Sequence, residues 1–407
     1  MARAEGLARL RPVSRSWPRV LYDELRPRGF WGYLLAGLVA AGAGILWLRF
    51  TQGLAAVTHL SDRWPWGLWV GFDILCGVGL AAGGFVITTV VYVFDLKRFR
   101  PIVRPTIVTA FLGYLLVVVG LLFDLGRPWN IWHPLVMWNP RSVMFEVSWC
   151  VTLYTTVLAL EFSGMVFERL GWNRALVLQH AATLPLVIAG AVLSTLHQSS
   201  LGSFYLIVPG KLHAFWWTPM LPWMFWISAV CAGLAMVIVE SRLSARAFGR
   251  RLELPLLSDI GRALAGALFV YAVSRIYDLF ARGAAARLLD GSRESLFFGL
   301  EFGLGVLLPL LLLSRVGVRR SSTGLYASSL MVVLGFVVNR LNVSLTGFEA
   351  SLGRDYVPAW SELVVTLMLV GLGFAAFGLA VKHLPVYPRE ERTLTRAAER
   401  PAELRAA

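Results

Sequence analysis

The sequence predicts an all-α, polytopic membrane protein with about ten transmembrane helices, and three observations lead there. Of its 407 residues 57% are hydrophobic and only 15% are charged, where a soluble domain carries about 25%. Mean hydropathy is +0.66. Apolar runs near the roughly 20 residues that cross a bilayer recur ten times, and the short connectors leave no room for a sizeable extramembrane domain.

The runs fall at 30–49, 67–94, 106–125, 143–167, 176–197, 215–239, 258–281, 295–314, 322–341 and 360–381. They divide the chain into a basic N-terminal segment, 1–29, a transmembrane helical domain, 30–382, and a C-terminal tail, 383–407. The first run is too long for a signal-peptide core and is expected to be a retained helix. Ser200-Leu201-Gly202-Ser203-Phe204 after the fifth run echoes Ser344-Leu345-Thr346-Gly347-Phe348 after the ninth. Runs two and six both follow a Pro-Trp pair, at Pro65-Trp66 and Pro222-Trp223. The echo predicts two four-helix bundles, helices two to five and six to nine, with helices one and ten peripheral.

A net charge of +14 would suggest nucleic acid in a soluble chain, but here it reads as topology. With alternating crossings, 26 of the 38 Lys and Arg fall on the side that holds both termini, ten on the other side and two, Arg262 and Arg275, within run seven. The positive-inside rule then places the N and C termini in the cytoplasm. The 282–293 connector, with Arg282, Arg287 and Arg293, dissents. Thirteen of 16 tryptophans, among them Trp64, Trp69, Trp129, Trp132, Trp138, Trp216 and Trp360, lie toward the outer side. An interfacial belt would occupy both sides, so the surplus predicts an outer docking face for a partner.

Ionisable groups inside spanning helices are costly and mark cavities or pathways. At 1.5 Å of rise per residue, Asp73 lies about two turns below the outer end of helix two, Tyr114 near the middle of helix three and Glu146 one turn into helix four. His197 lies at the outer end of helix five. Such a set suits a quinone, whose two carbonyl oxygens need hydrogen-bond donors and become hydroxyls on uptake of two electrons and two protons. Asp124 and Glu161 also read as carboxylates reaching the headgroup region from helix ends. Glu240, at the inner end of helix six, reads either as an interfacial anchor beside Arg242 or as the cytoplasmic mouth of a proton pathway that Glu146 serves at the other end. Arg275, Tyr277 and Asp278 in helix seven are expected to pair with Asn339, Arg340 and Asn342 in helix nine.

Cofactor signatures are weak. Cys76, Cys150 and Cys231 lie far apart in apolar runs, without CxxC or CxxCH, which argues against a disulfide framework, an iron–sulfur site or covalent haem. His180 and His197 sit roughly 25 Å apart along helix five, and His59, His133 and His213 fall in outer loops, a poor arrangement for a haem held by two histidines. The chain is expected to carry no haem or metal.

Four stretches carry a family resemblance: Trp64-Pro65-Trp66-Gly67-Leu68-Trp69-Val70, Ser194-Thr195-Leu196-His197-Gln198-Ser199-Ser200-Leu201-Gly202-Ser203, Asn339-Arg340-Leu341-Asn342 and Tyr356-Val357-Pro358-Ala359-Trp360-Ser361-Glu362. They look like the NrfD/PsrC family, above all its HybB-type subgroup, the membrane subunits of quinone-reactive nickel–iron hydrogenases. The similarity runs from helix one to about Pro388. It implies a haem-free, multi-pass subunit of the cell inner membrane that passes electrons between a periplasmic ferredoxin-like iron–sulfur subunit and menaquinone. It also implies that Tyr114, Glu146, His197 and Glu240 match positions used for quinone turnover or proton handling; Asp73 joins them by depth alone. Relatives serve hydrogenase, polysulfide and nitrite reductase and respiratory cytochrome complexes, with hydrogenase small and large subunits the leading expectation here. The rivals from other classes are a secondary transporter and a passive membrane anchor.

Overall fold

The computed structural model describes residues 29–62, 64, 66–353 and 355–387. The basic segment before Gly29 and the tail after Tyr387, with their share of the orienting arginines, lie outside the described residues. Among the described residues ten helices are long and apolar enough to cross a membrane: α1 Gly29–Gln52, α2 Trp69–Tyr92, α3 Lys97–Asp124, α4 Val143–Leu170, α5 Asn173–Ile207, α6 Leu221–Ala247, α7 Leu254–Ala281, α8 Arg293–Ser314, α9 Ser322–Leu352 and α10 Trp360–His383.

Several boundaries differ from expectation: α3 begins at Lys97 rather than 106, α9 runs to Leu352 rather than 341, and those of α5 and α6 bear on the site. α5 continues past residue 197 because its serines bond back to their own helix: Ser199 Oγ donates to Thr195 O at 3.0 Å, Ser200 Oγ to Leu196 O at 2.7 Å and Ser203 Oγ to Ser199 O at 3.2 Å. A polar run can then stay helical in an apolar medium. α6 begins at Leu221 rather than 215, because the preceding loop is tucked inside, with Phe215, Trp216 and Thr218 all fully buried. That burial also corrects the tryptophan reading. Trp64, Trp69 and Trp216 are packed in the interior and belong to no docking face, whereas Trp129, Trp132, Trp138 and Trp360 are exposed.

Neighbour contacts run from α2 to α3, α4 and α5 and back to α2, and in the same way from α6 through α7, α8 and α9 to α6. The two rings join where α2 meets α6 and α9 and where α5 meets α6, while α1 packs on α10 and α10 on α3. Small residues allow the tightest crossings. A Cβ on Gly233 of α6 would lie 2.5 Å from Gly83 N of α2, and one on Gly305 of α8 would lie 2.5 Å from Gly335 Cα of α9. Trp66 sits between the echoing stretches, its ring 4.7 Å from Phe204 and 5.7 Å from Phe348.

The loop before α2 is locked to α10 by Glu362. This buried carboxylate accepts from Tyr356 Oη at 2.7 Å, from Ala359 N at 3.1 Å, and from His59 N and Leu68 N at 3.2 Å. Tyr356, stacked on Trp64 with centroids 5.5 Å apart, lies in the loop, where burial and the Glu362 carboxylate push its hydroxyl pKa up.

The second ring has a polar core centred on Glu301 of α8, an acid that the sequence reading passed over. It accepts from Asn339 Nδ2 at 2.6 Å, Asn342 Nδ2 at 2.8 Å and Trp216 Nε1 at 2.8 Å, with Arg275 Nη2 at 3.9 Å. Arg340 donates to Asn339 Oδ1 at 2.6 Å and to Ser228 Oγ at 2.9 Å. Asp278 accepts from Thr218 Oγ1 at 2.5 Å and from Arg282 at 2.6 and 2.9 Å. Of the expected pairing of helices seven and nine only Arg275 is linked, through Glu301; Asp278 is held by Thr218 and Arg282, and Tyr277, 66% exposed on the outer face of α7, takes no part.

Two outcomes test this packing. Gly335→Ala should cost about 2 kcal/mol or more, because only backbone stands in the way, whereas Gly303→Ala, which opens on empty space, should leave the melting temperature in detergent unchanged. Glu301→Leu should cost about 3–5 kcal/mol, since it strips a buried arginine and three donors of their acceptor, with Glu301→Gln losing less in the same melt.

Candidate functional site

Tyr114 of α3 and His197 of α5 meet inside the first ring. Both are fully buried, and Tyr114 Oη lies 2.9 Å from His197 Nδ1. Helix register brings them together: Tyr114 shares the inner face of α3 with Ala110 and Val117, and His197 shares that of α5 with Ser194, Leu201 and the half-buried Leu193. Tyr154 of α4 closes the third side, its ring edge-to-face with Tyr114 at 4.7 Å between centroids.

The pair leaves polar atoms over. His197 Nε2, Ser194 Oγ and Tyr154 Oη are buried with no hydrogen-bond partner among the described residues. Each such atom costs roughly 1–3 kcal/mol, and three around one phenol mark a place held ready for a polar guest or for proton exchange.

A break in α2 supports the site from behind. At Ala81–Ala82 the regular helix gives way, and Ala82 N turns to Gly79 O at 3.2 Å. That releases Val78 O from its usual donor four residues on, and Gln198 Nε2, next to His197, takes it at 3.2 Å.

The remaining predicted residues divide. Glu146, exposed at the start of α4, accepts from Ser200 Oγ at 2.5 Å, one turn beyond His197. Asp73 stands apart: its carboxylate accepts from Thr366 Oγ1 of α10 at 2.9 Å, and its Cβ faces Gly120. Its depth matched His197, but it points from α2 toward α3 and α10, which depth alone could not show. Asp124 keeps one buried oxygen without a partner, and Glu161 is buried on α4.

Glu240 of α6 accepts from Thr109 Oγ1 of α3 at 2.8 Å. It lies between two cavities. One, toward the membrane interior, is lined by Leu80, Gly83 and Gly84 at the α2 break and by Thr106 and Thr109. The other opens toward the loop of Arg250, Arg251 and Glu253 and is roofed by Tyr387, whose hydroxyl lies 2.6 Å from Ser244 Oγ. Burial and the neighbouring Glu240 carboxylate push the Tyr387 hydroxyl up. Sequence reasoning did not single out Ser194, Tyr154 or Thr109 as site residues; the signal for Ser194 is its place three residues before His197 in a stretch that carries the family resemblance.

Comparison with known proteins points one way. Residues 56–349 match the family described as polysulphide reductase, NrfD. The chain is 39% identical over 367 residues to a protein of Nitratidesulfovibrio vulgaris (strain Hildenborough), covering 87% of this chain and 94% of that one. It is 34% identical over 346 residues to the probable Ni/Fe-hydrogenase 2 b-type cytochrome subunit of Escherichia coli (strain K12), covering 84% and 88%. A third relative, the integral membrane subunit of menaquinone reductase from the same Nitratidesulfovibrio vulgaris strain, is 27% identical over 376 residues, covering 83% and 87%. With the family match covering most of its length and the buried histidine and tyrosine meeting across the first ring, this chain belongs to the NrfD family.

Proposed function

We propose that this chain is the quinone-reactive membrane subunit of a respiratory oxidoreductase, passing electrons between a periplasmic ferredoxin-like iron–sulfur subunit and menaquinone. The observation that carries the reading is the buried His197, bonded through Nδ1 to Tyr114 and with Nε2 unpartnered. When Tyr114 donates to Nδ1, the imidazole proton sits on Nε2 and offers a donor to a quinone carbonyl oxygen. Each carbonyl oxygen of the quinone takes one proton for one electron. Glu146 and Ser200, one turn outward, supply a carboxylate and a hydroxyl at the rim.

Relatives named for a hydrogenase and for a menaquinone reductase favour small and large subunits of a nickel–iron hydrogenase as the catalytic partner. The same role in a polysulfide, nitrite or other reductase complex is the alternative. The distribution of arginines favours the cell inner membrane with both termini cytoplasmic. The donor set favours a subunit without its own haem: His197 is the one histidine buried among the described residues, and its Nδ1 is engaged, while His180 is exposed.

Glu240 is the inlet for protons from the cytoplasm. Thr109, which it holds, lies five residues below Tyr114 on α3, about 7.5 Å of rise. A proton drawn from that side crosses part of the membrane field, worth about 2.3 kcal/mol per 100 mV for a full crossing.

His197→Ala, in the intact complex, should lower quinone reduction by about 100-fold or more and leave partner turnover with a redox dye unchanged; wild-type quinone reduction in this variant would overturn the assignment. In proteoliposomes carrying a potassium diffusion potential, the wild-type quinone-linked rate should respond to the potential. Glu240→Gln should be slow and unresponsive, and a potential-independent wild-type rate would move proton uptake to the outer side.

A further inference from the structure

The inlet at Glu240 stops short of the quinone site. Thr109 is followed on α3 by Ala110, Phe111, Leu112 and Gly113, none of which carries an exchangeable side-chain proton. Once His197 has given its Nε2 proton away, the imidazole must recover one through Nδ1, whose neighbour is Tyr114. Tyr114 in turn is enclosed by α4 and α5, and the groups those helices present to it decide how it is resupplied.

Those groups are the hydroxyls of Ser194 and Tyr154 and the amide of Gln198, whose Nε2 is already given to Val78 O. Ser194 precedes His197 by three residues, so the two lie on one face of α5, and both are fully buried. Ser194 Oγ sits beside the hydroxyls of both Tyr114 and Tyr154, yet forms no hydrogen bond of regular geometry. Tyr154 is 1% exposed and packs edge-on against Tyr114, with its own hydroxyl equally unpartnered. A packing role would be served as well by Ala and Phe at these positions, and at lower cost, because a buried hydroxyl without a partner is destabilising. Two such hydroxyls in a row next to a phenol–imidazole pair are explained by a task that needs protons able to turn either way.

We propose that Ser194 and Tyr154 form, with Tyr114, a hydroxyl relay that returns protons to His197; the proposal rests on the quinone-site reading given above. In one concerted shift His197 gives its Nε2 proton to the quinone oxygen and Nδ1 takes the Tyr114 proton. Tyr114 is resupplied by Ser194, Ser194 by Tyr154, and Tyr154 by a hydrated proton arriving from the inner side, which leaves neutral water behind. Each oxygen loses one proton and gains one, so no phenolate or alkoxide is left behind. One proton enters at Tyr154 and one leaves at Nε2, and the electrons arrive separately from the iron–sulfur partner. Ser194 and Tyr154 are positioning and relay groups that act through Tyr114 and do not touch the quinone.

The test uses the intact complex with a short-chain naphthoquinone as acceptor, comparing Ser194→Ala, Tyr154→Phe and Ser194→Thr. The first two should lower kcat at least tenfold with KM within twofold of wild type and should raise the solvent deuterium isotope effect. Ser194→Thr, which keeps the hydroxyl, should retain most of the rate and the normal isotope effect. Turnover with a redox dye should be unchanged in all three, which shows that the complex is assembled. A kcat and isotope effect unchanged in Ser194→Ala and Tyr154→Phe would overturn the relay, as would Ser194→Thr behaving like Ser194→Ala. Because His197→Ala is assayed alongside, the two readings separate: loss of quinone activity there with unaffected Ser194 and Tyr154 variants sinks the relay alone, whereas full activity in His197→Ala sinks the quinone site with it.

Discussion

A polar atom placed in hydrocarbon has no water to fall back on and must find its partner inside the protein. That constraint shapes both rings of helices. In the second, Glu301 gathers two asparagines, a tryptophan and an arginine, and Arg340 donates to Asn339, Ser228 and the Phe225 carbonyl, while Arg275 Nε and Ser329 Oγ stay without a hydrogen-bond partner among the described residues. In the first the constraint is met for Gln198 and Val78 and left unmet at His197, Ser194 and Tyr154. The unpartnered atoms of the first ring gather around one phenol, which is the arrangement that the proposed proton exchange uses. Both rings place an acid on their third helix against the fourth, Glu146 against Ser200 and Glu301 against Asn339 and Asn342, which makes the difference in the remaining partners more telling.

Much of this was legible in the sequence. Ten apolar runs gave ten helices because length and hydropathy alone decide what crosses a bilayer. Tyr114 and His197 were picked out together by depth, and the structure joins them. Depth is one coordinate, however, and rotation about the helix axis is another. Asp73 has the right depth and the wrong azimuth, facing Thr366 instead. The azimuth was hard to read in α2 because its outer part, Trp69–Cys76, is wound as a π-helix, which shifts the register of every side chain beyond it relative to a 3.6-residue count. The same winding recurs at Leu300–Leu307 and Asn342–Thr346, which hold Glu301 and Asn342. A regular period applied through those stretches would misplace the residues that matter most.

The dissenting connector also finds a physical account. Three arginines at 282–293 count against the orientation whatever acids lie near them, because the rule counts Lys and Arg rather than net charge, but they also have local work. Arg282 is bound by Asp278 through two hydrogen bonds, and Arg293 lies 2.7 Å from Asp355 and 3.9 Å from Glu349. Two of the three are thus structural partners of local acids. The tryptophan surplus divides in a similar way: Trp216 serves Glu301 and Trp69 donates to the Glu362 carbonyl, while Trp129, Trp132 and Trp138 stay exposed beside Val136 and Met137. Trp47, Trp223 and Trp360 are exposed as well, so the exposed part of the surplus is spread over several helices.

The break in α2 ties the two halves of the site together. A regular helix would keep the Val78 carbonyl for Ala82 N; because Ala82 N turns to Gly79, and Gly84 N to Ala81 O at 3.3 Å, the backbone opens on both sides of Ala81–Ala82. On one side Gln198 fills the opening and fixes α5 beside His197. On the other, the cavity that reaches Glu240 is lined by Leu80, Gly83 and Gly84. The glycines are needed there for a second reason, since Gly83 crosses Gly233 of α6 at backbone contact. One local departure from the helix therefore sets Gln198 beside His197, brings the two rings together and leaves space above Glu240, which is why a change at any of these small residues should disturb the packing of both rings and the proposed proton inlet together.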